Sequence, residues 1–274
     1  MSLKIALLMI AAAACSPAPK PQNPDVPKST DVDLGPAPEG SDARLDWAIA
    51  GDHRAPQNRA RDQFRHPKET LAFFGVTKEK HVMELWPGGG WYTEILAPFL
   101  RDSGKLSVTV TDADFEKKLK AAPSLYGKVE AVHINPPAQL ALGPDESEDI
   151  VLTFRNVHNW IQGGFEKAVF AAVFKVLKHG GTFGVVDHRA DPGTDDKTIK
   201  ETGYVPEQLI VDLAQAAGFK LDAKSDINAN PKDNHKHPSG VWALPPVLAN
   251  GEKDKASYLA IGESDRVTLK FAKP

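Results

Sequence analysis

Cysteine is almost absent from this chain: Cys15 is the only one in 274 residues. That excludes an intramolecular disulfide framework and any zinc or iron–sulfur site built from several cysteines. Long apolar runs are missing as well. None reaches the ~18–20 residues that a membrane-spanning helix needs, so a multi-pass membrane protein is excluded. Charge of one sign is not in excess: 33 Lys and Arg stand against 36 Asp and Glu, a formal net charge of −3. A general nucleic-acid binder would carry a basic excess, and no nucleic-acid partner is expected. What the chain does have is core material, 41% apolar residues with 5 Trp and 12 Phe. That rules out global disorder and suits one large domain or two small ones.

The first residues have their own pattern. Lys4 is followed by an apolar stretch over residues 5–14, the layout of a secretory signal peptide. Ala12, Ala13 and Ala14 then lead into Cys15. This resembles the bacterial lipobox, in which the cysteine is lipidated and becomes the mature N-terminus, although Ala12 replaces the usual leucine. An ordinary cleaved signal with an incidental cysteine is the other reading; lipidation at Cys15 is the one adopted. Residues 16–40 carry seven of the 22 prolines and no aromatic residue. Such a segment favours extended conformations and buries no apolar face. The expected organisation is a signal over 1–15, a proline-rich disordered tether over 16–41 and a folded domain over 42–274. The expected location is the periplasmic side of a bacterial envelope, with the membrane touched only through the lipid.

In the domain, short β-branched runs recur at 82–85, 106–111, 129–134, 150–154 and 182–186. Helical patterns separate them. Residues 91–100 carry apolar pairs, and Phe165, Val169, Val173, Val176 and Leu177 form one stripe with Gly180 as a stop. Pro206 opens a helix running to Gly218. Ahead of the first strand, residues 61–74 read as a helix that Pro67 breaks in two. Strand–helix alternation predicts a parallel α/β sheet. The last two strands, 219–227 and 266–271, are separated by a polar insertion without a clear helix, which predicts an antiparallel pair.

Ligands of open parallel sheets bind beyond the carboxyl ends of the strands. Those ends carry Glu84 with the loop Pro87-Gly88-Gly89-Gly90, then Asp112, Asn135, the pair Arg155-Asn156 with His158, and finally Asp187-His188. Three glycines between a strand and a helix let backbone approach a ligand closely, and a carboxylate ending the next strand can accept both hydroxyls of a ribose. The spacing is not the Gly-x-Gly-x-x-Gly of dinucleotide enzymes, which weakens a dehydrogenase reading.

These residues resemble the first motif of class I S-adenosylmethionine-dependent methyltransferases. Glu84 matches the acid, Gly88 and Gly90 match the second and third glycines, and Trp86 stands where the first belongs. Asp112 matches the ribose position. Residues 61–62, 65–76, 87–93, 155–158 and 187–189 also look like a narrower family of predicted bacterial methyltransferases, many of them exported. The resemblance implies a Rossmann-like, doubly wound seven-stranded sheet, mostly parallel, with a reversed last strand. It implies S-adenosylmethionine as cofactor and methyl transfer to a small-molecule acceptor. Glu84, Pro87, Gly88, Gly89, Gly90, Asp112 and Asn135 are the expected cofactor residues. Arg155 and Asn156 would hold the cofactor's polar groups, a substrate carboxylate or their own strand end. His158 and His188 are candidate bases for the acceptor's proton, or hydrogen-bonded structural histidines. No metal is expected: His235 and His237 with Asp187 or His188 could bind one, but no complete ligand set is spelled out and a solvated loop is the expectation. The competing reading is a non-catalytic envelope lipoprotein that binds a ligand on a methyltransferase fold, since S-adenosylmethionine is made in the cytoplasm.

Overall fold

The alternation closes into one seven-stranded sheet. In chain order the strands are β1 (His81–Leu85), β2 (Lys105–Val110), β3 (Glu130–His133), β4 (Glu148–Phe154), β5 (Leu177–His188), β6 (Lys220–Ser225) and β7 (Arg266–Ala272). Their spatial order is β3-β2-β1-β4-β5-β7-β6. All pairs from β3 to β5 are parallel, and β7 runs antiparallel to both β5 and β6. The structure, a computed structural model, describes residues 31–274. The signal, Cys15 and the tether through residue 30 lie outside the described residues. Among the described residues no helix is long and apolar enough to cross a membrane.

The five inner strands, β1, β2, β4, β5 and β7, are buried on both faces, so their alternate side chains enter different cores, while the edge strands β3 and β6 are largely exposed. Met83, Leu85, Val151, Phe183 and Val185 join one core cluster. Val82, Ile150, Leu152 and Val186 join the other. Helices Val157–Gly163, Glu166–Val176 and Glu207–Ala216 contribute Trp160, Val173 and Ile210 to the first. Helices Ser41–Ala50, Pro67–Phe73 and Thr93–Leu100 contribute Ala48, Leu71 and Leu96 to the second. This is the doubly wound architecture expected from the sequence.

Several local expectations change. The stripe ending at Leu177 stops one residue earlier: Val176 closes the helix, Leu177 starts β5, and Gly180 lies inside that strand at φ 75°. The break near Pro67 falls at His66, at φ 40°, between helices Asp62–Arg65 and Pro67–Phe73. The insertion before β7 does contain helix, a 3₁₀ turn Gly240–Ala243 and an α-helix Lys255–Ile261. The far end of the predicted tether is fastened to the domain. Ser124 donates its backbone N–H to Asp31 at 2.9 Å, Arg101 donates to the Gly35 carbonyl at 2.7 Å, and Leu34 packs on the second core. The polar backbone of this segment finds partners on the folded surface even though it has little apolar surface to bury.

Candidate functional site

The glycine loop joins β1 to helix Thr93–Leu100. Gly90 has φ 79°, and a Cβ there would come within 2.9 Å of the Phe115 ring, so a side chain is excluded twice over. Gly88, at φ 59°, has nothing within 4 Å of where its Cβ would stand. That open backbone is a cradle that a ligand can approach. Trp86 takes a left-handed φ of 44° in the place of the first glycine. Its ring lies against Trp160 at 5.1 Å and stacks on Phe165 at 6.4 Å, and its N–H donates to Thr109 Oγ1 at 2.6 Å. Packing on the first core therefore holds a conformation that costs an ordinary residue about 1–3 kcal/mol.

Other polar side chains around this loop hold it together. Glu84, 2% exposed, accepts from Thr93 Oγ1 at 2.6 Å. Burial pushes its carboxyl up to about 7, against the opposing pull of the Thr93 bond and Lys118. Lys118 donates to the Gly89 carbonyl and to Glu94, both at 2.7 Å. Asn156 donates to the Leu85 carbonyl at 3.0 Å, the Trp86 carbonyl at 3.2 Å and Thr153 Oγ1 at 3.1 Å, tying the end of β4 to the end of β1. Glu84 and Asn156 thus brace the loop from within. Asp112 is exposed and caps helix Ala113–Ala121, Oδ1 accepting from the N–H of Asp114 at 3.1 Å and of Phe115 at 2.8 Å. Asn135 stands apart, beyond the edge strand β3, with its backbone paired to Gln139.

A second set of residues meets at the ends of β4, β5 and β7. Because β7 is reversed, its first residue lies at the carboxyl edge of its neighbour: His188 pairs with Arg266. Arg155, His158, His188, Ser264 and Arg266 line a pocket of about 220 Å³, with Trp242 and the 245–247 turn as its apolar wall. A larger hollow of about 350 Å³, between residues 32–34 and 47–53, touches none of these groups.

Asp187 is fully buried behind the histidines. It accepts from the His158 N–H at 3.3 Å and from the His188 N–H at 2.7 Å, and it lies 3.0 Å from His158 Nδ1. With N–H groups pointing at both oxygens it acts as an acceptor, which places the ring hydrogen of His158 on Nδ1 and leaves Nε2 with its lone pair. His188 Nδ1 lies 2.5 Å from Ser264 Oγ. Burial, then the neighbouring His158, Arg155, Arg266 and Arg65, hold His188 well below the usual histidine range. The three side chains His158, Asp187 and His188 offer ligand atoms within 4.8 Å of one another, a spacing that metals use. The guanidinia of Arg155, Arg266 and Arg65 nearby make this a poor place for a dication. His235 and His237 do not join it. His235 lies between Asp191 at 3.0 Å and Asp265 at 3.3 Å, and His237 bonds Asp233 at 2.8 Å.

The structure thus brings together Arg155, His158 and His188, and separately Glu84, the 87–90 loop and Asn156. Sequence reasoning missed Glu263, Ser264 and Arg266, and gave Asp187 no role beside His158. The signal was available in the reversed last strand, whose beginning rather than its end belongs to the ligand edge. Arg61 and Arg65 read from the sequence as part of a helix preceding the sheet, either closing over a cofactor or presenting a charged, solvated face; in the structure both bond Glu263, at 2.6 and 3.1 Å.

No family model matches the chain, and no curated protein matches it. Solved structures do. A geranyl diphosphate methyltransferase in complex with S-adenosylmethionine superposes with a TM-score of 0.52 at 14% identity, covering 90% of this chain and 97% of that one. A methyltransferase dependent on S-adenosylmethionine from Aquifex aeolicus gives 0.50 at 15% identity over 69% of this chain and 94% of its own. The 4+2 cyclase SpnF gives 0.53 at 15% identity, with coverages of 82% and 85%. Together with the strand order, the reversed β7 and the glycine loop after β1, these likenesses show that the chain has the class I S-adenosylmethionine-dependent methyltransferase fold.

Proposed function

We propose that the protein transfers a methyl group from S-adenosylmethionine to a small molecule bound in the pocket beside His158. The observation that carries this reading is the Asp187–His158 pair on a methyltransferase fold, with Nε2 of His158 free of hydrogen bonds among the described residues. The glycine loop fits the cofactor: Gly88 leaves open backbone, and Asp112, exposed at the end of β2, spends one oxygen on its cap and keeps the other for a ribose. When bound, the cofactor supplies an already activated methyl group, so this chain's work is alignment and one proton. His158 Nε2 takes the proton from the acceptor O–H or N–H, and Asp187 stabilises the imidazolium that results. Positioned bases of this kind contribute roughly 10²–10⁴-fold. Glu84, Asn156 and Lys118 keep the loop in shape.

Export and a lipid anchor on Cys15, placing the domain on the periplasmic side of a bacterial envelope, remain part of the proposal on the strength of the leader sequence. A diacylated peptide beginning at Cys15 in the membrane fraction is the expected mass-spectrometric result. The envelope location and Trp86 favour one other reading, a ligand-binding lipoprotein that does no methyl transfer. SpnF, by its name a cyclase, illustrates that the fold hosts other chemistry. Calorimetry of the full chain separates the two readings. Both S-adenosylmethionine and S-adenosylhomocysteine should bind; binding of neither at millimolar concentration would sink the enzyme reading.

A further inference from the structure

Around one buried carboxylate this fold gathers four guanidinia. Glu263 accepts from Arg61 and Arg65, and also from Arg266. Arg155, the fourth, forms no hydrogen bond through its side chain and no ion pair within 4 Å among the described residues, although it lines the pocket. A second carboxylate behind the pocket, Asp187, is engaged by the histidine N–H groups. Two carboxylates against four guanidinia leave two positive charges uncompensated. Polar atoms are left over too: Nε of Arg266, which lines the pocket, is buried without a hydrogen-bond partner, as are Nη2 of Arg61 and Nη2 of Arg65 behind it, where Arg65 lies over the Trp91 ring. Buried donors without partners are uncommon, and the unpaired Arg155 beside an unfilled Arg266 on one cavity wall marks a place where something else supplies the acceptors. The backbone is committed to this arrangement as well, since Arg155 sits at a left-handed φ of 64° with its N–H donated to the Val186 carbonyl at 2.7 Å.

We propose that the pocket binds a small organic acid, its carboxylate or phosphate group held by Arg155 and Arg266 and its apolar body laid against Trp242 and the 245–247 turn. At about 220 Å³ the space is below the roughly 300–1,000 Å³ of pockets that take drug-sized ligands, so the ligand is small. None of Gly88, Gly89, Gly90 and Asp112 lines it, which assigns the oxyanion to the acceptor rather than to the cofactor's own carboxylate. As an acceptor class this rests on the methyl-transfer reading; as an anion site it does not. Burial, then Arg61 and its neighbours, lower Arg155 to about 10, so it stays cationic at neutral pH and its repulsion by the other arginines is relieved when an anion binds.

The test is titration of the full chain, wild type and Arg155→Gln, with benzoate, phenyl phosphate and S-adenosylhomocysteine, together with a melting curve of each protein. At least one of the two acids should bind wild type, more weakly as salt rises, and lose about ten- to a hundredfold in Arg155→Gln. The tighter of the two identifies the head group. Affinity for S-adenosylhomocysteine should stay within twofold. The variant should melt no lower than wild type, because it removes an unpaired, half-buried cation. Acid binding with no S-adenosylhomocysteine binding supports the acid site while removing the methyl-transfer reading. The proposal is overturned if neither acid binds. It is also overturned if Arg155→Gln weakens S-adenosylhomocysteine as much as the acids, or if the variant melts several degrees lower.

Discussion

The two ends of the crevice are built on opposite principles. At the β1 end the polar side chains around the glycine loop largely satisfy one another: Glu84 with Thr93, Lys118 with Glu94 and Gly89, Asn156 with two carbonyls. What is left for a ligand there is open backbone at Gly88 and one oxygen of Asp112. At the β4–β5–β7 end the histidines are paired, His158 with Asp187 and His188 with Ser264, but the cations are not: four guanidinia gather on the one carboxylate of Glu263. The contrast teaches where each kind of recognition comes from. A backbone cradle can be held by a saturated network, because its ligand needs nothing from the side chains that hold it. A side-chain site must be left electrostatically unfinished, and its charges are stable only because one residue, Glu263, keeps them together.

The largest expected effect therefore falls on Glu263. Burial pushes its carboxyl up, but Arg65, Arg266, Arg61 and Arg155 outweigh this and hold it well below the usual carboxylate range. A carboxylate whose folded pKa is depressed contributes stability that is present above the ordinary glutamate pKa and is lost as pH falls toward the folded value. Glu263→Gln should cost about 3–5 kcal/mol at neutral pH, the cost of breaking a buried pair, and lower Tm by roughly 6–20 °C. It should also flatten the acid limb of the stability curve below pH ~4.5. A melting curve close to wild type would mean that the two ends are not built differently.

A smaller effect, of opposite sign in pH, is expected at the cradle end. The carboxyl of Glu84 is pushed up to about 7, so its favourable protonated state is fully present below about 4.5 and its contribution is lost as pH rises through 7. Between pH 5 and 8 wild type should lose roughly 3 kcal/mol that Glu84→Gln does not, read as a flatter dependence of Tm on pH in the variant. Equal slopes would show that Glu84 is solvated and that the cradle is less closed than its network indicates.

The smallest effect sharpens the comparison at Asp112, a helix cap that the proposed function also gives to the ligand. Asp112→Ala should lose about 1 kcal/mol of stability through the lost helix cap, whereas Asp112→Asn should keep the cap. Both should weaken S-adenosylhomocysteine by about ten- to a hundredfold, since neither offers a charged acceptor to the ribose. Asparagine restoring both stability and affinity would make Asp112 a cap alone.

Much of this was legible from particular residues. The β-branched runs lie in the observed strands within one or two residues, except that β5 begins at Leu177, because alternation and run length are local properties of a strand buried on two faces. The glycine loop was legible because Gly90 has a steric reason that no other residue meets. Asp112 was legible as a strand-end acid but not as a cap, since an acid at that position suits either role. Trp86 looked like a misfit in the motif; the side chains that support its backbone, Trp160 and Phe165, lie more than 70 residues away in the chain. His158 and His188 were legible as neighbours of one edge, but that Asp187 orients the first and Ser264 meets the second depends on atomic positions.

By itself, then, the sequence determined the sheet, its two helical layers, the reversed final pair and the place of the loop, because each is written in patterns a few residues long. The tertiary structure alone decided the charge of the pocket. Arg61 and Arg65 meet Glu263 across 202 and 198 residues of chain, and Arg266 arrives beside His188 only because β7 runs backward. Charge acts through space rather than along the chain, and a chain with a net charge of −3 can still hold a positive nest wherever its topology gathers arginines faster than carboxylates.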